Sequence, residues 1–196
     1  MTKLENTYKN KILTVPNILS FFRLCLIPLI VWLYMEKQDY LLTLIVLTLS
    51  GLTDIADGII ARKCNMISDF GKAFDPIADK LTQFATLLCL VSRFSYMLYP
   101  LALLVFKEAC TGITSLISIR RTNTVKGAVW HGKLTTVLLY AMMALHLLWY
   151  NVPRSLSLIT VGICIAVMTM SFVLYSIRNI KAILGGASAK KVVEKE

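Results

Sequence analysis

The sequence predicts an all-α, polytopic membrane protein with six transmembrane helices, and three observations lead to this fold class. Of the 196 residues, 57% are apolar and 16% are charged, whereas soluble domains carry roughly 45–50% apolar and about 25% charged residues. Six segments approach the roughly 20 apolar residues that a helix needs to span a bilayer. The Lys and Arg residues are also divided unevenly between the loops that connect these segments.

The six predicted spans follow one another along the chain with short connections. They cover residues 15–35, 40–61, 73–92, 96–119, 134–150 and 155–177. The second is polar at its end and the third at its start, Lys107 and Glu108 interrupt the fourth, and the sixth contains no charged residue. Residues 1–12 fit either a short helix on the membrane surface or a frayed terminus. We expect one membrane-embedded domain over residues 1–184 and a solvated tail over residues 185–196.

The basic residues predict the orientation in the membrane. Fifteen of the 21 Lys and Arg residues lie in the N-terminal arm, the second-to-third loop, the fourth-to-fifth loop and the tail. The opposite loops hold only Lys37, Arg93 and Arg154. Because cytoplasmic loops carry an excess of Lys and Arg, both termini are expected in the cytoplasm, as an even number of spans requires. The formal charge of +10 then reflects loops that face anionic lipid and does not indicate a nucleic-acid partner.

Four aspartates in two of the predicted spans carry the chemistry. Asp54 and Asp57 lie three residues apart near the cytoplasmic end of the second span, and Asp75 and Asp79 lie four apart near the start of the third. On helices, each pair shares one face. The short loop between the spans makes the two helices antiparallel neighbours, so we expect all four carboxylates to converge on one site.

Such a cluster needs cations, because an Asp at the centre of a membrane helix costs roughly 2.5–3.5 kcal/mol and like charges repel. The cluster contains no His or Cys, and an all-oxygen ligand set favours Mg²⁺ or Mn²⁺ over Zn²⁺ or Cu²⁺. Four carboxylates are enough for two ions about 3.5–4 Å apart, as in phosphoryl-transfer sites. Two alternatives are a structural ion-pair cluster with Arg62, Lys72 and Lys80, and the cation pathway of a transporter.

The residues between the aspartates fit a phosphate substrate. Gly58 and Ala61 leave room for a ligand to approach the helix backbone. The guanidinium of Arg62 offers a fork that suits phosphate oxygens. Gly71 lies four residues before Asp75 and relieves crowding where the third helix begins.

The spacing D-x2-D-G-x2-A-R-x8-G-x3-D-x3-D resembles the signature of the CDP-alcohol phosphotransferases. Its fixed positions are Asp54, Asp57, Gly58, Ala61, Arg62, Gly71, Asp75 and Asp79. TVPNILSFFRL at residues 14–24 looks like the first helix of the bacterial phosphatidylglycerophosphate synthases, where Asn17, Ser20 and Arg23 form a polar stripe. HGKLTT at residues 131–136 is similar to the Gly-Lys segment that opens their fifth helix.

The resemblance implies a membrane-embedded six-helix fold, a homodimer in the bacterial cytoplasmic membrane, and a cavity that faces the cytoplasm. The donor would be CDP-diacylglycerol: an alcohol attacks the phosphorus next to the diacylglycerol, and CMP leaves. By this resemblance Asp54, Asp57, Asp75 and Asp79 are ligands of two divalent cations, Mg²⁺ or Mn²⁺. Asp79 is also the general base. The residues expected at the CDP moiety are Asn17, Gly58, Ala61 and Arg62.

The signature does not identify the acceptor alcohol. Glycerol-3-phosphate is dianionic, so its pocket should be basic, and the candidates are Lys133, Lys107, Arg121 and Arg120. The related synthases have Arg-Glu where this chain has Lys107-Glu108, and a Lys lacks the bidentate fork of an Arg. A cardiolipin synthase of the same family, with phosphatidylglycerol as acceptor, therefore stays an alternative. A cation transporter is the alternative from another functional class.

Overall fold

The structure, a computed structural model, describes residues 15–63, 69–122, 130–149 and 151–193. Regular secondary structure in these residues is entirely helical, which confirms the predicted all-α class. Six long helices occur in the described parts of the chain: α1 (Val15–Trp32), α2 (Tyr40–Lys63), α3 (Asp69–Val91), α4 (Leu98–Thr122), α5 (Trp130–Leu148) and α6 (Arg154–Val193). Each overlaps one of the six predicted spans. The surface helix predicted at residues 1–12 lies outside the described residues.

Within the described residues, three helical segments are long and apolar enough to cross a bilayer, namely Asn17–Lys37, Ser95–Thr114 and Arg154–Lys181. The apolar parts of α2 and α5 are shorter and cover Tyr40–Ala56 and Gly132–Leu148. The molecule is therefore a membrane protein by the length and composition of its helices. Six crossings, and the cytoplasmic location of both termini, stay predictions.

The described helices form two compact units, of which the first contains α1, α2, α3 and the end of α5. In this unit α1 packs against both α2 and α3. The apolar core of the unit includes side chains that are at most 2% exposed: Ile30, Leu47, Leu87 and Leu90. The central position of α1 places its inward face beside both helices that carry the acidic motif.

A tight connection joins α1 to α2. Residues Leu33–Lys37 form a π-helical turn, and Gln38 follows in the left-handed region with φ 52°. Asp39 then caps α2, because its Oδ1 accepts a hydrogen bond of 2.9 Å from the backbone N–H of Leu42. The hydroxyl of Thr43 donates to the carbonyl oxygen of Asp39 at 2.7 Å. The bond from Leu42 satisfies a backbone N–H that the beginning of a helix otherwise leaves without a partner.

An aromatic cluster lies about 20 Å along α2 from the acidic motif, at 1.5 Å per residue. The rings of Tyr34 and Tyr40 pack edge to face with centroids 5.2 Å apart. The guanidinium of Arg93 lies over the Tyr40 ring at 5.2 Å, and the Phe94 and His146 rings are 5.2 Å apart. The cluster joins the ends of α1, α3 and α5 to the beginning of α2 through ring and cation–π contacts.

The second unit contains α4, the beginning of α5, and α6. Its central contact is the packing of α4 along α6. The rings of Phe106 and Phe172 meet edge to face at 5.7 Å, and Met168 is fully buried. The hydroxyls of Tyr96 and Ser157 are 2.6 Å apart, which ties the chain before α4 to the first turn of α6.

Helix α6 is longer than the sequence predicts. It runs over 40 residues from Arg154 to Val193, so it continues beyond residue 184, where the tail was expected to begin. Gly185 and Gly186 each cost about 1 kcal/mol of helix propensity relative to Ala, and this cost does not end the helix. The solvation of residues 185–196 stays a prediction.

Candidate active site

A buried polar stripe runs along α1 and consists of Asn17, Ser20 and Arg23. Their exposed fractions are 6%, 0% and 1%. Spacings of three residues place them on one face of the helix, whereas Phe21 and Phe22 on other faces are 61% and 44% exposed. Buried polar groups combined with exposed apolar ones are typical of helices whose outer surface faces lipid.

Two motif aspartates from different helices contact this stripe. Nη1 of Arg23 lies 2.6 Å from Oδ1 of Asp54 on α2. The hydroxyl of Ser20 donates a hydrogen bond of 2.5 Å to Oδ1 of Asp75 on α3. Because Ser20 and Arg23 are separated by one helical turn, the structure brings Asp54 and Asp75 to neighbouring positions on the same face of α1.

Asp79 lies one turn beyond Asp75 on α3 and has its own polar partners. Nε2 of Gln83, which is fully buried, donates to Oδ2 of Asp79 at 2.9 Å. The ammonium of Lys80 lies 3.9 Å from the same oxygen and donates to Oε1 of Gln83 at 3.4 Å. The side chain of Asp79 is 18% exposed, so this carboxylate is restrained by its neighbours while it keeps some access to solvent. Sequence reasoning did not identify Gln83.

The other motif positions lie on helical backbone. Residues 54–62 belong to one uninterrupted stretch of α2, so the three-residue spacing between Asp54 and Asp57 is a helical spacing. Gly71 is buried near the start of α3. The side chains of Asp57, Ala61 and Arg62 lie outside the described residues.

The donor chemistry of the described aspartates fits a hard divalent cation. Asp54, Asp75 and Asp79 offer carboxylate oxygens, which are the ligands that Mg²⁺ and Mn²⁺ prefer. Among the described side chains, no group of three His, Cys, Asp or Glu residues is close enough to hold a metal ion. Asp57, the fourth predicted ligand, is not among the described side chains.

Of the four predicted acceptor residues, the structure describes the side chains of Lys107 and Lys133. Lys107 is 4% exposed, and its Nζ lies 3.0 Å from Oε1 of Glu108. It precedes Arg120 on the same continuous helix by 13 residues, or about 20 Å at 1.5 Å per residue, which is too far for both to bind one phosphate group. Lys133 is exposed in the first turn of α5, and the side chains of Arg120 and Arg121 lie outside the described residues.

A second group of polar side chains, which sequence reasoning missed, joins α6 to α5 and α4. The Tyr175 hydroxyl lies against Gly132, so that a Cβ at Gly132 would be 2.7 Å from Oη of Tyr175. The guanidinium of Arg178 lies 4.8 Å from the centre of the Tyr175 ring. Asn179 is 3% exposed and donates to Oγ1 of Thr114 at 3.0 Å.

The signal for this group was the spacing of Tyr175, Arg178 and Asn179, which are three and four residues apart and share one helix face. Sequence reasoning assigned Tyr175 to an apolar span and counted Arg178 only as a basic residue of the tail. The Gly-Lys segment at Gly132 was recognised, but its partner on α6 could not be read from the sequence.

Spanning-length apolar helices, and carboxylates held by buried polar groups of a neighbouring helix, define a membrane-embedded protein with an acidic site. The chain belongs to the CDP-alcohol phosphatidyltransferase family, whose profile matches residues 13–184. It is therefore a transferase of phospholipid biosynthesis, and the suspected relationship to this family is confirmed. The match gives no support to the transporter alternative.

Several curated relatives share this family. The CDP-diacylglycerol–glycerol-3-phosphate 3-phosphatidyltransferase of Aquifex aeolicus is 32% identical over 177 residues, which cover 87% of this chain and 98% of that protein. The cardiolipin synthase (CMP-forming) of Streptomyces coelicolor is 40% identical over 105 residues, or 51% of this chain and 49% of that protein. A Rickettsia prowazekii enzyme with the same name as the Aquifex protein is 35% identical over 48% of this chain and 53% of its own length.

Proposed function

We propose that this chain transfers the phosphatidyl group of CDP-diacylglycerol to glycerol-3-phosphate, which yields phosphatidylglycerophosphate and CMP. The observation that carries the proposal is the meeting of Asp54 and Asp75, both positions of the family motif, on the buried stripe of α1. The Aquifex relative, which is named for this reaction, aligns over 98% of its own length and supports glycerol-3-phosphate as the acceptor.

The donor half of the site is the acidic motif. Asp54, Asp57, Asp75 and Asp79 would hold two divalent cations, Mg²⁺ or Mn²⁺. When bound, these ions would neutralise the diphosphate and the charge that develops on the leaving CMP. The CDP moiety would contact the small and basic positions of the motif and the start of the α1 stripe: Gly58, Ala61, Arg62 and Asn17.

Asp79 is proposed as the general base. Its carboxylate takes the proton of the acceptor hydroxyl while the hydroxyl oxygen attacks the phosphorus next to the diacylglycerol. The bond from that phosphorus to the oxygen of CMP breaks, and CMP leaves. Gln83 supports this role, because its hydrogen bond to Oδ2 limits rotation of the carboxylate. A base must be held within reach of the proton that it removes.

The acceptor half is proposed to consist of basic residues on α4, α5 and α6. The dianionic phosphate of glycerol-3-phosphate is proposed to bind Lys133, Arg120 and Arg121. Arg178 joins them, because its stacking on Tyr175 lies directly beside the Gly-Lys segment. Lys107 is paired with the half-buried Glu108 and lies about 20 Å along α4 from Arg120, so we assign it to helix packing.

A cardiolipin synthase is the second candidate, with phosphatidylglycerol as the acceptor. Its support is the Streptomyces relative, which is 40% identical over 105 residues, and Lys107-Glu108 in place of Arg-Glu. Both candidates use the same donor, cations and base. They differ only in the acceptor, which a single assay can compare.

We further propose that the enzyme is a homodimer of the bacterial cytoplasmic membrane. Its acidic site would face the cytoplasm, because the motif flanks a basic loop and basic loops remain on the cytoplasmic side. Water-soluble acceptor and CMP would exchange on that side, while the acyl chains of the donor remain in the bilayer.

The test is an acceptor panel with purified protein, CDP-diacylglycerol and Mg²⁺ or Mn²⁺, with lipid products identified by mass spectrometry. We expect phosphatidylglycerophosphate with glycerol-3-phosphate and no product after chelation of divalent cations. Cardiolipin from phosphatidylglycerol, without product from glycerol-3-phosphate, would replace the first candidate by the second.

The proposed base is tested by Asp79→Asn, which should lower turnover at least about 100-fold, since general bases contribute roughly 10²–10⁴-fold. Asp39→Asn is the matched control, because Asp39 lies outside the motif and Asn also caps helices well. It should retain wild-type turnover. Near-normal turnover of Asp79→Asn would exclude Asp79 as the base.

A further inference from the structure

The carboxylates of the acidic motif are held by side chains that do not belong to the motif. Ser20 donates to Oδ1 of Asp75 at 2.5 Å, and Arg23 contacts Oδ1 of Asp54 at 2.6 Å. Each of these two contacts engages one carboxylate oxygen, and a carboxylate has a second oxygen with which to bind a cation. The α1 stripe thus connects to the acidic residues of both neighbouring helices.

The exposures argue against a contact that serves packing alone. Ser20 and Arg23 are 0% and 1% exposed, whereas the side chain of Asp54 is 45% exposed and Asp75 is half-buried. An ion pair that only filled the interior would bury both partners. Here the donors are buried and the acceptors remain accessible, as expected where carboxylates are oriented toward a ligand.

We propose that Ser20 is a positioning residue that fixes the carboxylate of Asp75 for divalent cations, a proposal that rests on the proposed function. A single hydroxyl donor at 2.5 Å restricts rotation of the carboxylate about its Cβ–Cγ bond. Partners of this kind, hydrogen-bonded to metal ligands, typically contribute 10–100-fold to metal affinity or activity. Ser20 does not itself touch a substrate or cation in this account.

The test measures Mn²⁺ binding to metal-stripped protein in lipid nanodiscs, without nucleotide, from the electron paramagnetic resonance signal of free Mn²⁺. Ser20→Ala should weaken Mn²⁺ binding at least about tenfold. Ser50→Ala is the matched control: Ser50 is also fully buried in the first unit, and its hydroxyl has no hydrogen-bond partner among the described residues. This control should bind Mn²⁺ within about twofold of wild type.

A third variant, Asp75→Asn, separates the two proposals. Weak binding by Asp75→Asn and by Ser20→Ala supports the positioning role, provided that Ser20→Ala keeps wild-type helicity and unfolds within a few degrees of wild type without metal. Weak binding by Asp75→Asn with normal binding by Ser20→Ala overturns the role of Ser20 and leaves the proposed function intact. Normal binding by Asp75→Asn overturns the metal site itself, and the role of Ser20 with it.

Discussion

Arg23 and Asp54 form an ion pair, but the two charges depend on it to different extents because one is buried and the other is partly exposed. The guanidinium of Arg23 is 1% exposed, whereas the carboxylate of Asp54 is 45% exposed and 2.6 Å away. Removal of one partner of a buried pair leaves a charge without full compensation, at roughly 3–5 kcal/mol. A partly exposed charge such as that of Asp54 stays hydrated when its partner is removed. Ion pairs between solvent-exposed groups contribute only about 0–1 kcal/mol to stability.

The two substitutions should therefore destabilise the protein unequally. Asp54→Asn should lower the free energy of unfolding more than Arg23→Met does, but by less than the roughly 3–5 kcal/mol of a fully buried pair, because Asp54 is partly exposed. Arg23→Met should lower it by about 1 kcal/mol. For a chain of this size, each kcal/mol corresponds to roughly 2–4 °C in Tm. Thermal unfolding in detergent with a chelator present measures both values. Equal losses in the two variants would contradict the unequal burial of the pair.

At the level of single residues, the sequence predicts which residues are functional candidates and how they are spaced. It predicts their hydrogen-bond partners less well. Asp54, Asp75 and Asp79 could be selected because their separation along the chain implies shared helix faces. The donors Ser20 and Gln83 could not be assigned to particular carboxylates, because a partner on another helix depends on how the helices rotate and slide on packing. The contact of Tyr175 with Gly132 could not be predicted for the same reason, and Tyr175 lies in a stretch of apolar residues.

The contact between α5 and α6 depends on a glycine, because Gly132 has no side chain where Tyr175 approaches its backbone. A Cβ at Gly132 would lie 2.7 Å from Oη, 3.2 Å from Cε2 and 3.4 Å from Cζ of Tyr175. Gly132→Ala should therefore overpack this contact, which typically costs about 1–3 kcal/mol. We expect a lower Tm and a higher KM for the acceptor alcohol, because Lys133 is the next residue.

Two further variants examine this interpretation. Tyr175→Phe removes the hydroxyl that approaches closest, so Gly132→Ala should be less harmful in a Tyr175→Phe background than in wild type. Gly162→Ala on α6 is the control, because nothing lies within 4 Å of a Cβ at that position, and its Tm should stay the same or rise. Strictly additive effects of Gly132→Ala and Tyr175→Phe would show that the close approach is not the cause.

The positions of the six helices could be predicted from the sequence. Which of them are long and apolar enough to cross a bilayer could not. The sequence marks all six because each contains a long apolar stretch. In α2 the apolar part ends at Ala56, just after the motif begins at Asp54, and in α3 the motif occupies the first turns. The site therefore lowers the mean hydropathy of α2 and α3, the two helices that carry it, and that these helices cross the membrane stays a prediction.

The number of crossings has a consequence for the whole molecule. Six crossings place both termini on one side of the membrane, whereas the three segments of spanning length alone would place them on opposite sides. The excess of basic residues in alternate loops predicts the first arrangement, with both termini in the cytoplasm.

Reporter fusions measure this directly in intact bacteria. Green fluorescent protein should fluoresce when fused to either terminus, and alkaline phosphatase at either terminus should be inactive. Fusion of alkaline phosphatase after Arg93, in the predicted opposite loop, should instead give an active enzyme. Opposite results at the two termini would mean an odd number of crossings, and the proposed arrangement would then be wrong.

The 40 residues of α6 amount to a rod of about 60 Å, twice the roughly 30 Å of hydrocarbon in a bilayer. Even if strongly tilted, such a rod cannot be housed within the lipid. We expect the part of α6 after Lys181, where the candidate span ends, to lie in the aqueous phase, so a dye attached near position 187 should be quenched by water-soluble iodide and spared by brominated acyl chains.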